Sequence, residues 1–195
     1  QNNNINLNSN IKIIKYNWSS YNDFKKICEN IDFILNLAGP NSFEANNNFD
    51  ESINFINQSC DFIIRALQEN SIKKMIYFST IHVYSNNLNY SIDEKSPALN
   101  DNPYAKTKII AEKNFLNSLN DHNTIINILR LSNAIGHPIN LNSHCWDLVA
   151  NDFSKQVITN KKIEIKSSSN QSRDFFSISY LCKLVYFLIK YPKEG

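Results

Sequence analysis

The sequence predicts an α/β protein, a doubly wound parallel sheet with helices on both faces. Three observations predict it. Apolar runs of strand length alternate with longer stretches of helical period. The strand runs are nearly continuous in Ile, Phe and Tyr rather than alternating, as in strands buried on both faces. The resulting β-α-β-α-β order requires crossover connections, whose right-handedness makes the sheet parallel and lays helices over it.

The elements follow in order. The first strand is placed at 11–16 ("IKIIKY"), and a helix over 19–30 ("SSYNDFKKICEN") opens with a serine able to cap its free N–H groups. The second strand covers 32–37 ("DFILNL"). Over 48–70 the apolar residues at 49, 53, 56, 60, 63, 64 and 67 keep helix period. The third strand is 74–79 ("KMIYFS"). The helix 103–119 ("PYAKTKIIAEKNFLNSL") starts with proline in the first turn, where its missing N–H costs nothing. The fourth strand is 124–131 ("TIINILRL").

Composition narrows the function classes. A length of 195 residues with 42% hydrophobic and 12% aromatic residues suits one globular domain with a real core. The 33 asparagines, and lysine outnumbering arginine 17 to 3, read as the codon bias of an AT-rich genome, with "QNNNINLNSN" as polar loop. A net charge of +2 with both signs interspersed leaves no basic stripe, so no nucleic-acid partner is expected. Cys28, Cys60, Cys145 and Cys182 show neither CxxC nor zinc spacing and read as reduced, buried thiols of a cytoplasmic protein. The most apolar stretch, "LCKLVYFLIKY" at 181–191, is too short to span a bilayer and is broken by Lys183 and Lys190, so no membrane partner is expected. A first residue that is Gln, with Met75 as the only methionine, points to a fragment.

Ligand sites in parallel sheets lie beyond the carboxyl ends of the strands. Three such loops carry unusual residues: "NLAGPNS", "STIHVYS" and "SNAIGHP". Close to them, Tyr104 and Lys108 stand four apart on one helix face. A phenol is a poor base at neutral pH, but an adjacent ammonium stabilises the phenolate and makes a usable proton shuttle. Thr80 or Ser79, at the end of the preceding strand, could hold the substrate oxygen. Taken alone, the tyrosine–lysine spacing is common by chance.

The segments "DFILNLAGP", "MIYFSTIHVYS", "NPYAKTKIIAE", "ILRLSNAIGHP" and "SRDFFSISYL" resemble, in order and separation, the successive motifs of the extended short-chain dehydrogenase/reductases, the NAD-dependent epimerase/dehydratase group acting on nucleotide-linked sugars. The resemblance covers roughly residues 11–190. The stretch from "RLSNAIGHP" to "SRDFFSIS" resembles members encoded with surface-polysaccharide genes.

The resemblance implies a Rossmann-like domain over 1–195, single and partial, with 134–195 contributing to the substrate-binding lobe. It implies NAD or NADP as cofactor, a nucleotide-linked sugar as substrate, and a homodimer through the helices 48–70 and 103–119. Thr80, Tyr104 and Lys108 become the catalytic set, with Lys108 and Tyr104 also meeting the cofactor. Leu37, Ala38 and Gly39 match the loop beside the cofactor, where Gly39 permits close approach. Asn57 matches a helix asparagine behind the site, and Asn133 one that reaches cofactor or sugar phosphate. Ser79 and Thr80 face the sugar, and Arg173 of "RDF" grips the pyrophosphate, a task for a bidentate fork.

Other residues carry bland readings. His82 faces solvent, His137 and His144 have no partners at metal spacing, and no metal is indicated. Glu112 pairs with Lys108 or with solvent. Trp146 packs in the core or lines the sugar pocket.

The sequence departs from the family pattern in three ways. A GxxGxxG phosphate loop is absent, Gly39, Gly136 and Gly195 being the only glycines, so that loop is expected upstream of Gln1. Ile81 and His82 stand where the sugar 4,6-dehydratases carry an acidic pair after the threonine, which disfavours dehydration. Asn17, Cys60 and Ser85 replace more usual residues. The reading is therefore an epimerase or a reductase. A non-catalytic remnant, or a nucleotide-binding or partner-binding module of the same fold, is the alternative.

Overall fold

The structure is a computed structural model that describes residues 10–84, 91–120, 123–137, 146, 148–165 and 172–191. The chain divides into two compact units, Asn17–Leu131 with Tyr186–Gly195, and Ser132–Val185 with Gln1–Tyr16.

The first of these units contains α1 (Tyr21–Ile27), β1 (Phe33–Asn36), α2 (Ser42–Asn47), α3 (Phe49–Glu69), β2 (Lys74–Thr80), a 3-10 turn (Ile81–Val83), α4 (Pro103–Asn117) and β3 (Ile125–Leu131). Helix starts follow the local chemistry. Ser20 Oγ accepts from the Asp23 N–H at 3.4 Å, and Asn41 and Glu44 form a reciprocal capping box. Asn102 Oδ1 accepts from the Tyr104 N–H at 3.0 Å, with Pro103 at the first helical position as expected.

The three strands form a parallel sheet in the order β1-β2-β3. Phe33 pairs with Lys74, Lys74 with Ile125, and Thr80 with Leu131. Strand β2, in the centre, is buried along almost its whole length. Helices α3 and α4, which connect successive strands, pack against one another. Ile56, Cys60, Ile63 and Leu67 of α3 and Ile109 and Phe115 of α4 form the core with Met75 and Tyr77 of β2. Lys74 is also fully buried, and its Nζ donates to the Tyr191 carbonyl at 3.4 Å.

The strand expected at 11–16 is not formed. Its backbone pairs in no sheet, and Ile11, Ile13 and Ile14 are exposed. An apolar run of β-branched residues becomes a strand only where a neighbour takes its backbone groups, and local pattern cannot supply that neighbour. Sequence reading also placed no strands after β3.

The second unit contains β4 (Asn133–Ile135), α5 (Val149–Asn160), β5 (Phe175–Ser177) and the first part of α6 (Ile178–Lys190). β4 and β5 are three residues each and pair in parallel, too short to stand out by periodicity. A Cβ on Gly136 would come within 2.9 Å of Ile178 Cγ1, so the glycine lets the chain after β4 pass close to α6. Trp146 lies 5.6 Å from Lys155 Nζ, ring over cation, and is half-buried. His144, Cys145, Ser85 and Gly195 lie outside the described residues.

Cys28 and Cys60 are buried free thiols, whereas Cys182 is exposed, contrary to the expectation of burial. Burial pushes the Cys28 thiol up to about 11 and the Cys60 thiol up to about 12. An unfolded thiol ionises near pH 8.5, so the protonated thiols contribute stability that is whole below that pH and is lost as pH rises through the folded values. Urea midpoints are therefore expected to fall between pH 8 and pH 10.5, each thiol accounting for about 1.4 kcal/mol per pH unit in that window. The double variant Cys28→Ala/Cys60→Ala should flatten that fall, and an equally steep fall without the thiols would refute the assignment.

Candidate active site

The site is built at the carboxyl end of β2, against one face of α4. Thr80 ends the strand and is buried. Its Oγ1 accepts from the His82 N–H at 3.2 Å, which starts the 3-10 turn and holds the threonine side chain in place. Tyr104 enters from the first turn of α4, near enough to the Thr80 side chain for that hydroxyl to draw its pKa down. Lys108 follows one turn later, 7% exposed, with its Nζ donating to the Phe78 carbonyl at 3.1 Å. The Lys108 ammonium lies 5.9 Å from the Tyr104 ring centre and 5.2 Å from that of Tyr77. The three residues singled out at this strand end by sequence are thus brought together.

The loop after β1 reaches the same place. Asn36 Oδ1 accepts from the Ala38 N–H at 3.1 Å, folding Leu37 and Ala38 back over the strand end. Leu37 is exposed, and so is Gly39. Gly39 has φ +155°, and a Cβ built there would lie 3.5 Å from Lys108 Nζ and 3.8 Å from Ile56 Cδ1, both ordinary contacts. Backbone conformation, and not lack of room, therefore calls for glycine here. The described glycines, Gly39 and Gly136, form no phosphate loop.

Electrostatics differ from the sequence expectation. Burial raises the Tyr104 pKa, and the Thr80 hydrogen bond pulls it back only in part. The ammonium expected to lower it gives one of its three donors to the Phe78 carbonyl and is not among the groups that shift Tyr104. Burial lowers the Lys108 pKa, opposed by Cys60 and Glu112.

Ser79 and Glu112 also depart from expectation. Ser79 was a candidate to hold substrate oxygen, but its hydroxyl donates to Glu112 Oε1 in the interior. Neighbouring residues on a strand face opposite ways, so Thr80 and Ser79 could not both line one site. Glu112, 3% exposed, pairs with neither Lys108 nor solvent. Arg130 of β3 grips it instead, with Nε donating to Oε1 at 3.1 Å and Nη2 to Oε2 at 2.7 Å. Arg130 Nη1 donates to the Tyr84 hydroxyl at 2.8 Å, and that hydroxyl donates to the Asp93 carbonyl at 2.9 Å.

Sequence reading passed over Arg130. A signal was there: it is one of three arginines in a lysine-rich chain, set inside the apolar run "ILRL", where a buried charge requires a partner.

Asn57 lies on the exposed side of α3, its Oδ1 accepting from Asn114 Nδ2 of α4 at 3.4 Å. Position 57 lies on the flank of the buried stripe of α3 that faces α4. In the second unit, Asn133 donates through both its N–H, at 3.3 Å, and its Nδ2, at 3.0 Å, to the Asp174 carbonyl. Arg173, next to it in sequence, is exposed, as is His82. Among the described residues no group of His, Cys, Asp and Glu converges as a metal site, and no helix is long and apolar enough to cross a membrane.

A parallel sheet with its polar residues gathered at the carboxyl ends of the strands is the Rossmann-like dinucleotide-binding class. The chain belongs to the NAD dependent epimerase/dehydratase family, whose profile matches residues 1–195. Human dTDP-D-glucose 4,6-dehydratase is 27% identical over 169 residues, 86% of this chain and 47% of the human protein. Among solved structures, UDP-N-acetylglucosamine 4-epimerase from Methanobrevibacter ruminantium, in complex with UDP-N-acetylmuramic acid, is 26% identical with a TM-score of 0.72, covering 83% of this chain and 52% of its own. UDP-glucuronic acid 4-epimerase from Bacillus cereus, in complex with UDP-glucuronic acid and NAD, has a TM-score of 0.79 at 21% identity, covering 94% of this chain and 57% of its own, and is similar in fold. The chain spans about half the length of the relatives it matches.

Proposed function

We propose that the protein is an NAD-dependent epimerase or reductase of a nucleotide-linked sugar, working in surface-polysaccharide synthesis in the cytoplasm. The observation that carries this reading is the convergence of Thr80, Tyr104 and Lys108 at one strand end beside the Gly39 loop. Bound NAD supplies the acceptor for hydride from the sugar carbon. Thr80 holds the sugar oxygen by hydrogen bond, and Tyr104 withdraws and returns its proton. Lys108 supports the phenolate and the ribose of the cofactor, with Leu37, Ala38 and Gly39 forming the wall beside it. The family description supports NAD over NADP. Residues 134–195 contribute to a substrate-binding lobe, and the family resemblance gives Arg173 and Asn133 the nucleotide phosphates to meet. The family resemblance supports a homodimer through α3 and α4.

Reaction type follows from what stands after Thr80. Elimination of water from a sugar needs an acid and a base beyond the tyrosine. Here the 3-10 turn presents Ile81 and an exposed His82, 6.4 Å ring to ring from Tyr104, and no carboxylate. Epimerisation or reduction is favoured over dehydration on that ground.

The test is incubation of the purified protein with NAD and a panel of UDP- and dTDP-hexoses, read by product NMR. A 4-epimer or a reduced sugar is expected. A 4-keto-6-deoxy product would replace this reading with dehydration, and cofactor binding without turnover of any sugar would favour the binding module.

A further inference from the structure

Tyr104, Lys108 and Glu112 follow at intervals of four on α4, so they share one face. By spacing alone Glu112 is the carboxylate positioned to take Lys108 as an ion-pair partner. In the structure it does not. Arg130 holds both its oxygens from β3, and Ser79 donates to one of them from β2. A planar fork on a carboxylate fixes direction as well as distance, which a lysine in its place would not do. Lys108 is left to donate to the Phe78 carbonyl and to lie against the Gly39 loop.

We propose that Arg130 is a positioning residue for the site: by holding Glu112 against β3 it keeps that carboxylate from capturing Lys108, whose ammonium stays directed at the strand end where Tyr104 and the Gly39 loop meet. The proposal rests on Tyr104 and Lys108 being the reacting pair. The groups that face Lys108 are Cys60 from α3, Tyr77 from β2, and Tyr104 and Glu112 from its own helix. Glu112 is the carboxylate among them, so releasing it is the change that would matter. Arg130 also holds Tyr84 and, at 3.4 Å, the Glu94 carbonyl, so the same guanidinium ties the segment after the 3-10 turn to the sheet.

An ion pair that served only to stabilise the fold would leave the Lys108 titration unmoved whichever partner was lost, although the more buried Glu112 would suffer more from being left alone. A carboxylate held out of reach predicts asymmetry. In Arg130→Met, Glu112 is released and turns to Lys108. The Lys108 side chain, followed by 13Cε NMR in purified protein and assigned with Lys108→Arg, is then expected to titrate about one pH unit or more higher. Turnover is expected to fall about 10²-fold as the ammonium leaves the site. In Glu112→Gln, with no carboxylate to capture it, Lys108 should titrate no higher than in the parent, and turnover should stay within a few-fold. The double variant Arg130→Met/Glu112→Gln should recover most of what Arg130→Met loses, a non-additivity that identifies the coupling. Arg130→Lys, which keeps a charge beside Glu112 but loses the fork, should show the same changes in smaller measure, and carries the comparison if the methionine variant does not fold.

Identical Lys108 titrations in all variants would overturn the proposal, as would equal losses in Glu112→Gln and the Arg130 variants. Unaltered turnover in Tyr104→Phe would instead remove the catalytic reading, while the Lys108 titrations would still decide whether Arg130 governs Lys108.

Discussion

Replacing Tyr104 by phenylalanine is expected to lower turnover by about 10²–10⁴-fold, with the fold and NAD binding left in place. The ring keeps its neighbours His82 and Lys108, and only the hydroxyl facing Thr80 is lost. The pH profile gives a sharper reading than the rate. Burial holds the Tyr104 phenol above its ordinary range, so the phenolate is a minor species at neutral pH. In the direction that withdraws a sugar proton, kcat/KM should therefore rise about tenfold per pH unit through the neutral range, until alkaline loss of the fold intervenes. In Tyr104→Phe that slope should vanish. A variant as active as the parent, or a parent profile that is flat from pH 6 to 9, would rule out Tyr104 as the proton carrier.

The second large effect is on stability. Phe115 is fully buried on the inner face of α4, its ring 5.2 Å from that of Tyr77. Truncation to alanine removes the apolar contact and leaves a cavity that neighbouring helices cannot close, a cost of about 3–5 kcal/mol. For a chain of this size that corresponds to a fall in Tm on the order of 10 °C. Tyr77 is also the ring beside Lys108, so loosening it should reach the site. The neighbouring Leu116→Ala, at a position 48% exposed, is the control and should cost about 0.5 kcal/mol or less. Equal melting temperatures for the two variants would mean that α4 is not seated on the sheet as described.

These two residues also show why the sequence could be read so far. Tyr104, Lys108 and Phe115 belong to one helix, and its 3.6-residue period assigns faces without knowledge of anything outside it. The same holds for the buried stripe of α3 and for Pro103 and Asn102 at the start of α4. Thr80 was legible because a residue at the carboxyl end of a parallel strand lies where such sheets bind ligands. The family resemblance then tied Thr80, Tyr104 and Lys108 together across segments whose separation carries no local signal.

What the sequence by itself determined is accordingly local: strands β1 to β3, helices α1, α3 and α4, and the shared face of Tyr104, Lys108 and Glu112. Partner choice was settled only in three dimensions. Residues 11–16 have the composition of a strand but pair in neither described sheet. Ser79 and Thr80 are adjacent in sequence, yet strand alternation sends one into the core and leaves the other at the site. Glu112 has a lysine four residues away but bonds to Arg130, eighteen residues on, because β3 lies beside β2 and presents a planar fork to both carboxylate oxygens. Spacing along a helix sets which charges can meet, and the geometry and burial of the competing donors set which of them do.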